Sequence, residues 1–159
     1  MRVLFVCLGN ICRSPTAEGV FRRELEAAGL VHRVEVDSCG IGDWHVGRAP
    51  DPRAAAAAGR RGIDLSGLRA RQLAAEDFHR FDYLLAMDHD NLAALQAQCP
   101  EGCRAHIGLF LDFAGHHDRP VPDPYYGGER GFEEVLELIE SASRGLVEEI
   151  AGRLEGRRP

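Results

Sequence analysis

The chain has 159 residues, 45% of them hydrophobic, which suits one compact domain with one core. A formal net charge of −6 argues against a general nucleic-acid binder, which needs a basic face, but leaves room for a local cationic site. All 19 basic residues are Arg, a side chain suited to bidentate oxyanion contacts and also one that an arginine-biased genome supplies.

Met1 to Cys7 is too short an apolar run for a signal peptide or membrane span, so a cytoplasmic chain without membrane association is expected. Arg2 to Val6 reads as a short buried strand, followed by a polar turn from Leu8 to Ser14. Ser14 as N-cap and Pro15 at the first helical position then open a helix. Its Ala17, Val20, Phe21, Leu25 and Ala28 recur at helical spacing until Gly29. A second strand, Val34 to Ser38, leads through a Gly-rich loop to an alanine-rich helix from about Asp51 to Arg60. Tyr83 to Met87 reads as a third buried strand, Asp88 as the cap of a helix carrying Leu92 and Leu95, and His106 to Phe110 as a fourth strand. Phe132, Val135, Leu136, Ile139, Leu146, Val147 and Ile150 form the apolar face of a closing helix.

Strands alternating with helices predict a three-layer α/β fold with a four-stranded parallel sheet, and one domain spans 1–159. Ligands of such sheets bind beyond the carboxyl ends of the strands. Two segments qualify: the turn after the first strand, and Asp112 to Gly131, where Pro120, Pro122 and Pro124 suggest an ordered excursion. The five cysteines, Cys7, Cys12, Cys39, Cys99 and Cys103, fit reduced thiols better than a disulfide framework or a zinc pattern. The seven histidines show no ligand spacing, and the His116-His117 pair reads as a solvated loop feature. No metal or other cofactor is expected.

Cys7-Leu8-Gly9-Asn10-Ile11-Cys12-Arg13-Ser14 places a cysteine at a strand end and an arginine at a helix start. That spacing arises easily by chance; the preceding apolar strand, the intervening Gly and the Ser-Pro helix opening carry the reading. A loop of this length can turn backbone N–H groups of Leu8 to Arg13 inward, and the helix N-terminus adds partial positive charge, so it can cradle a phosphate. The same field and the neighbouring Arg favour thiolate over thiol, which suits Cys7 as a nucleophile. Arg13 can offer its planar fork to two phosphate oxygens. Ser14 is expected to donate towards the Cys7 sulfur, and Asn10 to brace the loop through contacts to nearby backbone. In Asp123-Pro124-Tyr125-Tyr126-Gly127, proline restricts Asp123 to extended geometry, from which its carboxyl can serve as general acid and then base.

Together these segments resemble the low-molecular-weight protein tyrosine phosphatase family over nearly the whole chain. The resemblance rests on Val3 to Pro15, Val36-Asp37-Ser38, Ala70-Arg71-Gln72, Met87-Asp88 and Asp123 to Gly127. It implies hydrolysis of phosphotyrosine through a phosphocysteine on Cys7, with Arg13 as phosphate ligand and Asp123 as general acid, acting on tyrosine-phosphorylated proteins. It makes Trp44, Tyr125 and Tyr126 candidates for the walls of an aromatic groove, and Cys12 the partner for a protective disulfide with oxidised Cys7. Ile11 looks like the tyrosine-directed form of the loop, Thr there the phosphoarginine-directed form. One departure is Gly67-Leu68-Arg69, where many members carry a His that supports the loop Asn and Ser; how Asn10 and Ser14 are held is left open.

Two other readings compete. An arsenate reductase on this fold would need further redox cysteines, for which Cys99 and Cys103 are the candidates, and an oxyanion-binding module would keep the cradle without an aligned acid. Monomer is the default expectation, with weak self-association through an apolar catalytic face as the variation.

Overall fold

The computed structural model describes residues 1–115, 118–124 and 128–156. Tyr125, Tyr126 and the His116-His117 pair therefore lie outside the described residues.

β1 (Arg2–Cys7) is apolar on both faces because it is covered on both. Val3 and Phe5 pack with α1 (Arg13–Ala27), α2 (Pro52–Gly59) and α5 (Gly128–Leu154), whereas Leu4 and Val6 pack on the opposite side with α3 (Asp77–Arg80) and α4 (His89–Gln98). The remaining strands are β2 (Glu35–Gly40), β3 (Tyr83–Ala86) and β4 (His106–Leu109). All pairings are parallel, in the order β2-β1-β3-β4. The chain leaves β1 for one neighbour and returns on the other side, so a crevice opens between the carboxyl ends of β1 and β3. No helix among the described residues is long and apolar enough to cross a membrane.

The three-layer, four-stranded parallel architecture is the one the sequence predicts. Three local details differ. α1 begins at Arg13 with Cys12 at the N-cap position and no side-chain cap, so Ser14 and Pro15 lie inside the first turn. The Ser14 hydroxyl is engaged elsewhere, as shown below. β4 stops at Leu109, and Phe110–Ala114 winds into a 3-10 helix that ends at left-handed Gly115. The four-residue α3 is too short to leave a periodic pattern, and the sequence reading missed it. Asp88 caps its helix as expected, accepting from the Asn91 amide, and Asp51 proves to be a cap as well, accepting from the Arg53 and Ala54 amides.

Candidate active site

The turn between β1 and α1 is held by its carbonyls. Cys7 O accepts from Ile41 N–H at 2.9 Å, Leu8 O from Gly42 at 3.0 Å and Ile11 O from Asp51 at 2.7 Å. Since peptide units are planar, tying carbonyls outward turns the opposing N–H groups towards the loop interior. Close approach to β2 is what allows this. A Cβ on Gly40 would sit 2.9 Å from the Leu8 carbonyl oxygen and 3.1 Å from the Asn10 nitrogen, so only glycine fits. Asn10 completes the turn in a left-handed conformation (φ 59°), one that Asn tolerates better than most residues.

Two groups point at the Cys7 sulfur. The Asn10 backbone N–H donates to Sγ at 3.2 Å, and Ser14 Oγ lies 2.9 Å away. Ser14 Oγ accepts from Asn10 Nδ2 at 2.8 Å, so its own hydrogen is available to the sulfur, the Cys39 carbonyl being more distant at 3.4 Å. The sulfur thus faces two donors at the start of α1. At the neighbouring Cys12 thiol, burial, then the charges of Asp51, Cys7 and Asp123, push the pKa up to about 12, with Arg53 opposing.

Asn10 is braced by distant groups rather than by nearby backbone. Its Nδ2 also donates to Ser38 Oγ at 2.9 Å, and its Oδ1 accepts the Arg71 amide at 3.0 Å. Ser38 Oγ in turn donates to Glu18 Oε1 at 2.7 Å, and Arg22 pairs with the other Glu18 oxygen at 3.0 Å. Arg71 is itself fixed by Asp37 and Asp77. This network answers how Asn10 and Ser14 are held, the question that Gly67-Leu68-Arg69 left open. Burial, against the Ser38 and Arg22 contacts, holds the Glu18 carboxyl above its usual range.

Arg13 is buried, and its Nη1 donates to Asp88 Oδ2 at 2.8 Å and to the Val121 carbonyl at 3.0 Å. The other Asp88 oxygen caps α4 by accepting from Asn91 N–H at 2.8 Å. One carboxylate thus anchors a helix start and the guanidinium. Val121 belongs to the segment carrying Asp123, and its N–H docks on the Met87 carbonyl at 2.6 Å, at the end of β3. His89 Nε2, 2.8 Å from Asp118 Oδ1, tethers the same segment farther back.

Cys7, Leu8, Gly9, Ile11, Cys12, Arg13, Trp44, His45 and Asp123 line one cavity of about 260 Å³. Among the described residues, Leu8 (50% exposed), Trp44 (65%) and Val46 (55%) are the exposed large hydrophobic side chains, and Trp44 stands at the rim rather than packed inward. His45, with a buried and unpartnered Nδ1, enters the lining without having been singled out in the sequence. Asp88, Glu18 and Ser38 were also not read as site residues; the sequence marked Asp88 through its cap and the Met87-Asp88 pair and Ser38 through the Val36-Asp37-Ser38 segment, and gave no signal for Glu18. Cys99 and Cys103 follow α4 and precede β4, at the amino edge of the sheet, whereas Cys7 ends β1 at the carboxyl edge. That separation places them outside any thiol relay with Cys7.

The chain's relatives carry the same reading. The profile of the family described as low molecular weight phosphotyrosine protein phosphatase matches residues 2–155. A low molecular weight phosphotyrosine protein phosphatase from Schizosaccharomyces pombe is 47% identical over 153 residues, covering 95% of this chain and 97% of that one. A low molecular weight protein-tyrosine-phosphatase from Streptomyces coelicolor is 47% identical over 160 residues, covering 98% and 97%. Among solved structures, a protein tyrosine phosphatase from Entamoeba histolytica with Hepes in its active site superposes with a TM-score of 0.90 at 39% identity, covering 99% of each chain. With its fold, its cysteine–arginine loop and these relatives in agreement, the chain belongs to the low molecular weight phosphotyrosine protein phosphatase family.

Proposed function

We propose that this chain is a cytoplasmic, single-domain protein-tyrosine-phosphatase that hydrolyses phosphotyrosine, and aryl phosphates generally, through a phosphocysteine on Cys7. The observation that carries the reading is the Cys7 sulfur, in a cavity shared with Arg13 and Asp123 and facing donors from Ser14 and Asn10. The Cys7 thiolate attacks phosphorus while Arg13 and the loop amides from Leu8 to Arg13 hold the phosphoryl oxygens, whose charge spreads as the bond to the leaving oxygen breaks. Asp123 gives its proton to that oxygen, and tyrosine departs as the neutral phenol. As a carboxylate, Asp123 then takes a proton from water attacking the phosphocysteine, which releases phosphate and restores both groups. Neither step routes through a metal.

Trp44 at the rim offers a flat face to an incoming aromatic ring, and Tyr125 and Tyr126 belong to the same proposed wall. Ile11 in the cavity lining supports tyrosine over arginine as the phosphorylated residue. Cys12 is the partner for a disulfide with oxidised Cys7: its thiol displaces water from the Cys7 sulfenic acid. The working form is a monomer whose partner is a tyrosine-phosphorylated protein and not a nucleic acid.

Hydrolysis of phosphotyrosine and phosphoarginine peptides by the wild type and Asp123→Asn tests this reading. Preference for phosphotyrosine, and a fall in kcat of about 10²–10⁴ in the variant, are expected. Preference for phosphoarginine, or an unchanged rate in Asp123→Asn, would overturn the substrate or the acid assignment respectively.

A further inference from the structure

Two thiols take no part in the phosphatase chemistry, and the fold brings them together. Cys99 sits at the C-cap of α4 with extended backbone (φ −67°, ψ 120°). The next residues reverse the chain: the Cys103 N–H donates to the Pro100 carbonyl at 3.4 Å, and Gly102 supplies the left-handed conformation (φ 81°) such a turn requires. Cys103 Sγ donates to the Phe78 carbonyl at 3.2 Å, and Cys99 Sγ lies 3.6 Å from the Pro100 carbonyl. Both side chains rest against the apolar cluster that includes Phe78, Phe81 and Leu95, and the two thiols are close enough to influence each other's charge. Cys7, Cys12 and Cys39 are buried, whereas Cys99 and Cys103 are each partly exposed. A reagent in solution can therefore reach this pair.

We propose that Cys99 and Cys103 form a second redox site, a dithiol that closes to an intramolecular disulfide by exchange with low-molecular-weight disulfides. The turn already brings the two residues back towards each other on one apolar cluster, so ring closure needs little rearrangement of α4 or β4. Partial burial, with the Cys103 neighbour adding to it, pushes the Cys99 thiol up, so Cys99 is the less ready of the two to open the exchange. The Cys103 thiolate attacks one sulfur of the small disulfide and expels one equivalent of small thiolate, leaving a mixed disulfide on Cys103. Cys99 loses its proton to solvent and attacks the Cys103 sulfur, expelling the second equivalent. The protein is oxidised by two electrons and the small disulfide is reduced to two thiols.

The sequence makes the test clean. Trypsin cleaves after Arg, so Cys7 and Cys12 fall in Val3–Arg13, Cys39 in Val34–Arg48, and Cys99 with Cys103 in Phe81–Arg104. The full chain, with inorganic phosphate added to occupy the active site, is incubated with oxidised glutathione, alkylated, digested and weighed. Phe81–Arg104 is expected to become lighter by two hydrogens, to take up no alkylating agent, and to revert on treatment with dithiothreitol. Cys99→Ser should instead retain one glutathione on Cys103, while hydrolysis of para-nitrophenyl phosphate is unchanged. If wild-type Phe81–Arg104 is alkylated at both cysteines, or carries glutathione without closing the ring, the proposal fails, and wild-type mapping alone decides this whatever the variant's folding.

Discussion

Arg13 is held from behind by the group that caps α4. Lys could satisfy Asp88 or a phosphate oxygen but lacks the planar fork that reaches both. Arg13→Lys is therefore expected to lower kcat/KM for para-nitrophenyl phosphate by about 10²–10³, the usual cost of losing a donor aimed at developing charge. Asp88→Asn, which keeps an acceptor but loses the charge, should cost less in the same assay. Glu18 gives a pH signature. Its carboxyl is held above its ordinary value of 4.5, so the folded protein binds more protons there than the unfolded chain. Stability from this group is present below pH 4.5 and is lost as pH rises from there through the folded value. Glu18→Gln keeps an acceptor for Ser38 and cannot titrate. Its melting temperature should fall less than that of the wild type as pH is raised from 4.5 to neutrality, and parallel thermal-melt profiles would refute the assignment. Cys7, Arg13 and Ser14 were legible because they are contiguous on one strand, turn and helix start. Asp88 stands 75 positions from Arg13 and Ser38 stands 28 from Asn10, and no local pattern signals such contacts.

The elements were legible wherever apolar period and caps agreed. α5 is the clearest example: Phe132, Val135, Leu136, Ile139, Leu146 and Ile150 are all buried, as their helical spacing predicts. Ile139→Ala is expected to cost about 2–5 kcal/mol of unfolding free energy in a urea titration, with turnover per folded molecule unchanged, because it opens a cavity remote from the Cys7 loop. The start of α1 was misread because Ser14 has the chemistry of a cap. Its hydroxyl goes to Cys7 and Asn10, and the helix begins two residues earlier, with Cys12 as its N-cap. A local propensity thus yields to a contact made across the turn. Trp44 illustrates the limit of composition: its Gly-flanked loop allowed either packing or exposure, and the His45 ring against Gly9 belongs to the tertiary fold.

For the whole molecule, strand order is the organising fact. Placing β1 beside β3 brings the Cys7 loop against Asp88 and the Met87 carbonyl, which docks the Asp123 segment, so both ends of the proposed reaction converge on one crevice. The family's relation to the chain was legible from its motifs, whereas the Arg71, Ser38 and Glu18 network that braces Asn10 required the fold. Rapid mixing of para-nitrophenyl phosphate with wild type and with Cys7→Ser, with reductant and a chelator present, tests the central claim most directly. The expected result is a chelator-resistant burst of nitrophenol approaching one per wild-type chain before slower turnover, and no product from Cys7→Ser. Full-rate hydrolysis by Cys7→Ser would contradict a phosphocysteine at this position.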